Sequence, residues 1–215
     1  MQYRVLLIVF SVLVYAFALG LARAADITIR DLGGGDLPAI ITIQGQLLQG
    51  DHNKFLNALV SIPHAMVYLD SPGGAAGEAI QIGMTIRLRR FDTAVPYRAT
   101  CASACALIWL SGTHRRVGDG ATIGFHAVSD KGKASPKGNA AVVRYLDWLG
   151  LHVAAEYVTA TPPKSMTVLT REKATNYDIN YDPFTLDEIN RYHKVRDKHV
   201  DPPLIIHDPG LPSIE

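Results

Sequence analysis

Strand-like and helix-like stretches alternate along the first half of this chain, joined by turns of small residues or glycine, although no internal sequence repeat stands out. Residues 39–43 pass through a turn region at 45–50 into a helix that Asp51 can cap and that runs to about Val60. Residues 65–69 pass through Asp70-Ser71-Pro72-Gly73-Gly74 into a helix over about 75–89 with a broad stripe at Ala79, Ile80, Ile82, Met84 and Ile86. Residues 93–99 pass through Thr100-Cys101-Ala102-Ser103-Ala104-Cys105-Ala106 into an apolar helix that ends near Ser111-Gly112. Strands alternating with helices specify an α/β architecture with right-handed crossovers. With 215 residues, 48% of them hydrophobic, the chain can fill the core of one sizeable domain.

The second half continues the alternation less regularly. Residues 115–117 form a short strand candidate and 121–127 a clearer one. A polar loop over 129–138 leads to one long helix over about 139–159, which Thr161-Pro162-Pro163 ends. Thr170 caps a short helix to Tyr177. A last helix is expected over about 185–198, followed by a loosely held Pro-rich tail from Pro202.

The N-terminus reads as a secretory signal. A short basic start with Arg4 precedes the apolar run 5–21, and Ala22-Arg23-Ala24 offers small residues for cleavage before Ala25. The run is long for a signal core and close to the lower limit of a membrane span, so an uncleaved anchor is the alternative. Either way the domain is expected to be exported, periplasmic or secreted. Cleavage would change the net charge from +1 to −1, and no basic field points to nucleic acid. The expected organisation is a signal or anchor at 1–24, a lead-in at 25–37, a main α/β domain at 38–180, and a C-terminal helix and Pro-rich tail at 181–215.

Cys101 and Cys105 are the two cysteines of the chain, too few for a disulfide scaffold. Four residues advance ~6 Å in a helix but ~13 Å in a strand. With a strand-to-helix junction between them, two buried apolar thiols are expected rather than a bridge. No cofactor is expected. The histidines other than His126 (His52, His64, His114, His152, His193, His199, His207) have no metal-type spacing and read as surface or structural. No phosphate-binding loop is present, so no ATPase domain is built into the chain.

Three features converge on one chemistry. Paired Gly73 and Gly74, between a strand and a helix, let backbone amides approach a ligand closely. Ser103 sits at a strand–helix junction, where free N–H groups favour developing negative charge. His126 ends an apolar strand 23 residues later. Alone, the first is an ordinary turn, the second a packing turn and the third a core or edge histidine. Together and in this order they suit nucleophilic attack by serine with histidine as general base.

The order also carries a resemblance. The stretches 67–74 (VYLDSPGG), 102–104 (ASA), 110–116 (LSGTHRR) and 123–126 (IGFH) resemble the proteolytic subunit of Clp proteases. They are similar above all to its exported relatives with a C-A-S-A-C segment. Residues 169–174 (LTREKA) resemble the short helix that closes that domain, so the likeness spans roughly 38–180. It implies the ClpP/crotonase fold, an α/β spiral of ββα units, usually in a homo-oligomer. It implies Ser103 as nucleophile, His126 as general base, and the amides of Gly74 and Ala104 as the oxyanion hole. The partner implied is a peptide or unfolded protein segment, docked as an added strand beside the chain after Gly74.

The departure lies in the third triad member. Met166 falls about where the family carries an aspartate, in a stretch 163–168 without an acid. Asp130 is a poor substitute, four residues after His126. The site is then a dyad, a triad completed by a backbone or hydroxyl group, or a degenerate enzyme kept as a binding or assembly module. A serine–lysine dyad would draw on Lys131, Lys133, Lys137 or Lys164, all in polar stretches that leave a lysine solvated. Acyl-CoA chemistry of the crotonase type is the remaining alternative, disfavoured by export away from cytoplasmic CoA.

Overall fold

Each apolar run of the first half becomes a buried strand in the computed structural model, which describes residues 24–30 and 38–185. In chain order the elements are β1 (Asp26–Arg30), β2 (Ala39–Gln44), α1 (Asp51–Ala58), β3 (Ala65–Asp70), α2 (Ala76–Leu88), β4 (Asp92–Val95), β5 (Thr100–Ala102) and α3 (Ala104–Leu110). They continue as β6 (Arg115–Gly118), β7 (Thr122–Phe125), β8 (Ser129–Asp130), β9 (Lys133–Ala134), α4 (Pro136–Trp148), α5 (Ala154–Ala160), β10 (Thr167–Val168), α6 (Arg171–Asn176) and β11 (Asp182–Phe184).

The main sheet has the order β1-β2-β3-β4-β6-β11, parallel except for the antiparallel edge strand β1. A smaller sheet has the order β10-β7-β5, with β5 parallel and β10 antiparallel to β7. The two sheets are threaded by one repeating unit. β4 enters the main sheet, β5 the small one, and α3 returns; β6, β7 and α4 repeat the path. A single bridge from Ser71 to Cys101 extends the small sheet to the end of β3, and another joins Leu47 to Gly74. This is a spiral of ββα units, as expected.

Burial explains the layering. Every residue of α3 is buried, which fits a helix apolar on all sides. Trp109 is fully enclosed and its indole N–H donates to the Arg116 carbonyl at 3.2 Å. Gly83 of α2 leaves room for Tyr145 of α4, since a Cβ there would fall within 1.9 Å of the Tyr145 hydroxyl. That hydroxyl donates to Leu107 O of α3 at 3.0 Å, and burial pushes its pKa upward.

Several expectations are corrected. The run 93–99 is not one strand: Pro96 cannot donate to a ladder, β4 ends at Val95, and the strand that feeds Ser103 is β5. The long helix over 139–159 is broken into α4 and α5, with Gly150 at φ 77 between them. The lead-in contains β1, because alternate Ile27 and Ile29 are buried against the sheet. The polar loop at 129–138 holds the β8–β9 hairpin and the start of α4. The signal or anchor and the helix expected over 185–198 lie outside the described residues, apart from Ala24 and Thr185 at their edges.

Asp51 is the first residue of α1 rather than its cap, with Gly50 in that position at φ 93. Its carboxylate is fully buried and accepts N–H groups from Leu48 (2.7 Å) and Ala25 (3.3 Å), and it pairs with Lys54 at 3.0 Å. The Asp51→Ala variant leaves buried N–H donors unsatisfied, so it should lose about 2 kcal/mol in urea unfolding with an unchanged m-value.

Candidate active site

The chain reverses its local path at Ser103, which has φ 57 and ψ −122 between β5 and α3. Such a conformation in a residue with a Cβ costs about 1–3 kcal/mol and persists only when its surroundings impose it. Here they do. The Ser103 N–H donates to Gly124 O at 2.8 Å, and the Ala102 N–H to Ser71 O at 3.0 Å. On the helix side the Ala106 N–H donates to Ser103 O at 3.0 Å.

A covalent link closes the same turn. Cys101 and Cys105 are joined by a disulfide, with Cα atoms 5.1 Å apart, so the expectation of two free thiols is corrected. The estimate from ideal advances failed because the segment is neither strand nor helix throughout. The reversal at Ser103 brings its two flanks within disulfide range.

The glycine loop packs directly on this turn. A Cβ on Gly73 would meet Ala102 O at 2.5 Å and Ser103 Cβ at 2.8 Å, so only glycine fits. The buried Ser71 hydroxyl accepts the Gly73 N–H at 3.0 Å, and the Asp70 carboxylate accepts the Thr100 N–H at 3.1 Å. Leu47 pairs with the Gly73 carbonyl and the Ala75 N–H on either side of Gly74. Backbone groups alternate in direction along such a pairing, so the Gly74 N–H stays out of it. The Ala104 N–H is the first of α3 and has no carbonyl within the helix to bond.

His126 follows β7 and is half-buried. Its Nδ1 lies 2.8 Å from Ala127 O. A carbonyl only accepts, so the proton sits on Nδ1 and the Nε2 lone pair is left free. Ala127 is itself held by donating its N–H to Thr161 O at 2.8 Å. Thus a backbone carbonyl occupies the orienting position, one of the alternatives open from the sequence.

Met166 stands where the register predicts contact. β10 pairs Thr167 with Phe125, and one step further sets Met166 opposite His126. Its side chain lies over Gly124, where a Cβ would come within 2.7 Å of Met166 Cγ and Sδ. It is 45% exposed, so it is not ordinary core packing.

Gly74, Ser103, Ala104 and His126 line one cleft of ≈ 170 Å³, walled by Leu107, Phe125, Val142 and Val158. No hydrogen bond joins Ser103 Oγ to the His126 ring, in keeping with the loose catalytic bonds of unliganded sites. Asp130 is exposed on the β8–β9 hairpin and does not line the cleft, nor do Lys131, Lys133, Lys137 and Lys164. Sequence reasoning missed Asn139, which lines the cleft and accepts the Val128 N–H at 2.7 Å. Its signal was a polar residue at the start of an otherwise apolar stripe. The Ala127 carbonyl left no signal, because any residue supplies one.

Solved structures share this arrangement of elements. A mutant of the 1510-N membrane-bound stomatin-specific protease is 21% identical, with a TM-score of 0.50 over 72% of this chain and 81% of that one. A second mutant of that protease, in complex with a substrate peptide, gives 21%, 0.51, 71% and 76%. A mutant of ClpP1 from Listeria monocytogenes is 15% identical, with a TM-score of 0.50 over 70% of this chain and 94% of that one. The fold is ClpP-like. No protein-family model and no curated protein sequence matches the chain.

A ClpP-like fold with these residues in one cleft can hold an acyl group between a serine oxygen and two backbone donors. Among the described residues no carboxylate stands behind the imidazole, a loss worth on the order of 10⁴ in rate in the worked serine-protease case. Met166→Asp places one opposite His126. It should raise the rate of activated-ester hydrolysis by about tenfold or more. An unchanged rate in a folded Met166→Asp protein would mean that the Ala127 carbonyl already does the orienting.

Proposed function

We propose that this chain is an exported serine peptidase that hydrolyses peptides or unfolded segments without ATP. Ser103 attacks the scissile carbonyl, and His126 Nε2 takes its proton and returns it to the leaving amine. The N–H groups of Gly74 and Ala104 hold the tetrahedral oxyanion, each donor worth about 3 kcal/mol. The observation that carries this reading is the forced conformation of Ser103 at the head of α3, in one cleft with His126 and Gly74. A residue with a Cβ in this conformation serves no packing purpose that glycine would not serve with less strain.

The ClpP-like fold supports the reading, as does a structural neighbour described with a substrate peptide. Leu107, Phe125, Val142 and Val158 give the cleft an apolar wall against which a peptide side chain can pack. The disulfide supports export, since such bonds persist in oxidising compartments. The signal-like run 5–21 supports it independently, whether cleaved or kept as an anchor. A homo-oligomer is proposed from the fold, and Trp148 and Val153 remain exposed around the α4–α5 break.

A second reading is a binding or assembly module on the same fold. It is favoured by the carbonyl in place of an acid and by the unmade Ser103–His126 bond.

A fluorophosphonate separates the two. It should label Ser103 in the wild type and fail on Ser103→Ala. His126→Ala should slow labelling by at least ~10². Equal labelling of wild type and Ser103→Ala would remove the serine mechanism and leave the module. Mass spectrometry of exported material should find either Ala25 at the N-terminus or an intact, membrane-bound chain. Light scattering of the same material at micromolar concentration should report more than one subunit. Full-length protein free in the cytosol, or a monomer, would count against export or assembly respectively.

A further inference from the structure

The disulfide lies in an unusual place for a structural cross-link. Its cysteines are the only two in the chain, and they straddle Ser103 symmetrically, two residues to either side. Cys101 belongs to β5 and Cys105 to α3, and both are fully buried. The loop they close has a sequence separation of four. Short loops remove the least entropy from the unfolded chain, so this bridge is poorly suited to stabilising the whole domain. β5 is already paired with β7, and α3 is already enclosed by the core. Between them, backbone hydrogen bonds at Ala102, Ser103 and Ala106 favour the turn at φ 57 and ψ −122, and the disulfide is the covalent link across it.

We propose that the Cys101–Cys105 disulfide is a positioning element for the Ser103 nucleophile. By tying the end of β5 to the first turn of α3, it blocks Ser103 from relaxing into an ordinary extended or helical conformation. Such relaxation would swing Oγ away from the cleft and carry the Ala104 N–H with it. One link thus holds both the nucleophile and one oxyanion donor. This inference rests on the peptidase reading above.

Burial of both sulfurs makes the bridge a brace set once rather than a reversible switch, because small thiols cannot reach it in the folded protein. It forms when the two thiols pass two electrons and two protons to a disulfide oxidant, which leaves as two thiols. It is therefore set while the chain folds, before the core closes over the two sulfurs, and a chain that folds without it is idle.

The test compares one polypeptide in two redox states. The full chain is unfolded in denaturant and dithiothreitol and refolded in two parallel batches, one with oxidised glutathione present and one without oxidant, and thiol alkylation in denaturant with mass analysis identifies each form. The oxidised form should react with a fluorophosphonate at Ser103 on the order of 10²-fold faster than the reduced form. In ester hydrolysis the difference should appear in kcat, with KM and the urea midpoint little changed. The Cys101→Ala/Cys105→Ala variant should behave as the reduced form. Equal rates in the two forms, or a double variant as fast as the oxidised protein, would overturn the proposal. So would a reduced form that is globally unfolded, since the bridge would then act on stability and not on Ser103. Absence of labelling in the oxidised form overturns the peptidase reading itself, and this inference with it.

Discussion

Everything at the site depends on the parallel pairing of β5 with β7. That register sets Ala102 beside Gly124 and lets the Ser103 N–H reach Gly124 O at 2.8 Å. Both strands then end at the same edge, one on Ser103 and the other on His126. A slip of one residue would turn every side chain to the opposite face. β5 has three residues and could not hold this register alone. It is held from the other side by Ser71, which exchanges backbone bonds with Thr100 and Ala102. The glycine loop, the nucleophile strand and the histidine strand are therefore one hydrogen-bonded unit.

That unit is rigid because it stands on a buried helix. α3 contributes an all-apolar surface to the core while its N-terminus faces the cleft. Its first amides are available because no preceding helical carbonyl exists to take them. The same junction therefore imposes strain on Ser103 and supplies a donor beside it. Thr93 Oγ1 donates to Trp109 O at 2.7 Å, tying the far end of the helix to β4 in the main sheet. Movement of the helix as a whole would have to drag core packing with it.

The ββα path is what makes room for chemistry. Each unit crosses from the main sheet to the small sheet before its helix begins, so turns accumulate at one edge. Two of them, 71–74 and 102–104, meet there with Gly73 as the contact. A Cβ at that contact has no space, which ties the identity of residue 73 to the approach of a segment about 30 residues away in sequence.

The order of strands and helices, the glycine pair, the serine at a strand–helix junction and the histidine at a strand end were all legible in the sequence. Each is local: it follows from periodicity, turn chemistry or spacing within a few residues. The helix over 76–88 and the Thr170 cap, whose hydroxyl accepts the Lys173 N–H at 3.2 Å, were legible for the same reason. What only the tertiary structure decided depends on chain direction after a turn. Strand 93–99 split because Pro96 left the ladder, and the cysteines bridged because Ser103 reverses the path between them. The partner of His126 Nδ1 is a backbone carbonyl, invisible in any sequence because every residue carries one. Met166 lies opposite His126 because β10 runs antiparallel to β7, a register set by long-range pairing rather than by the residues of either strand alone.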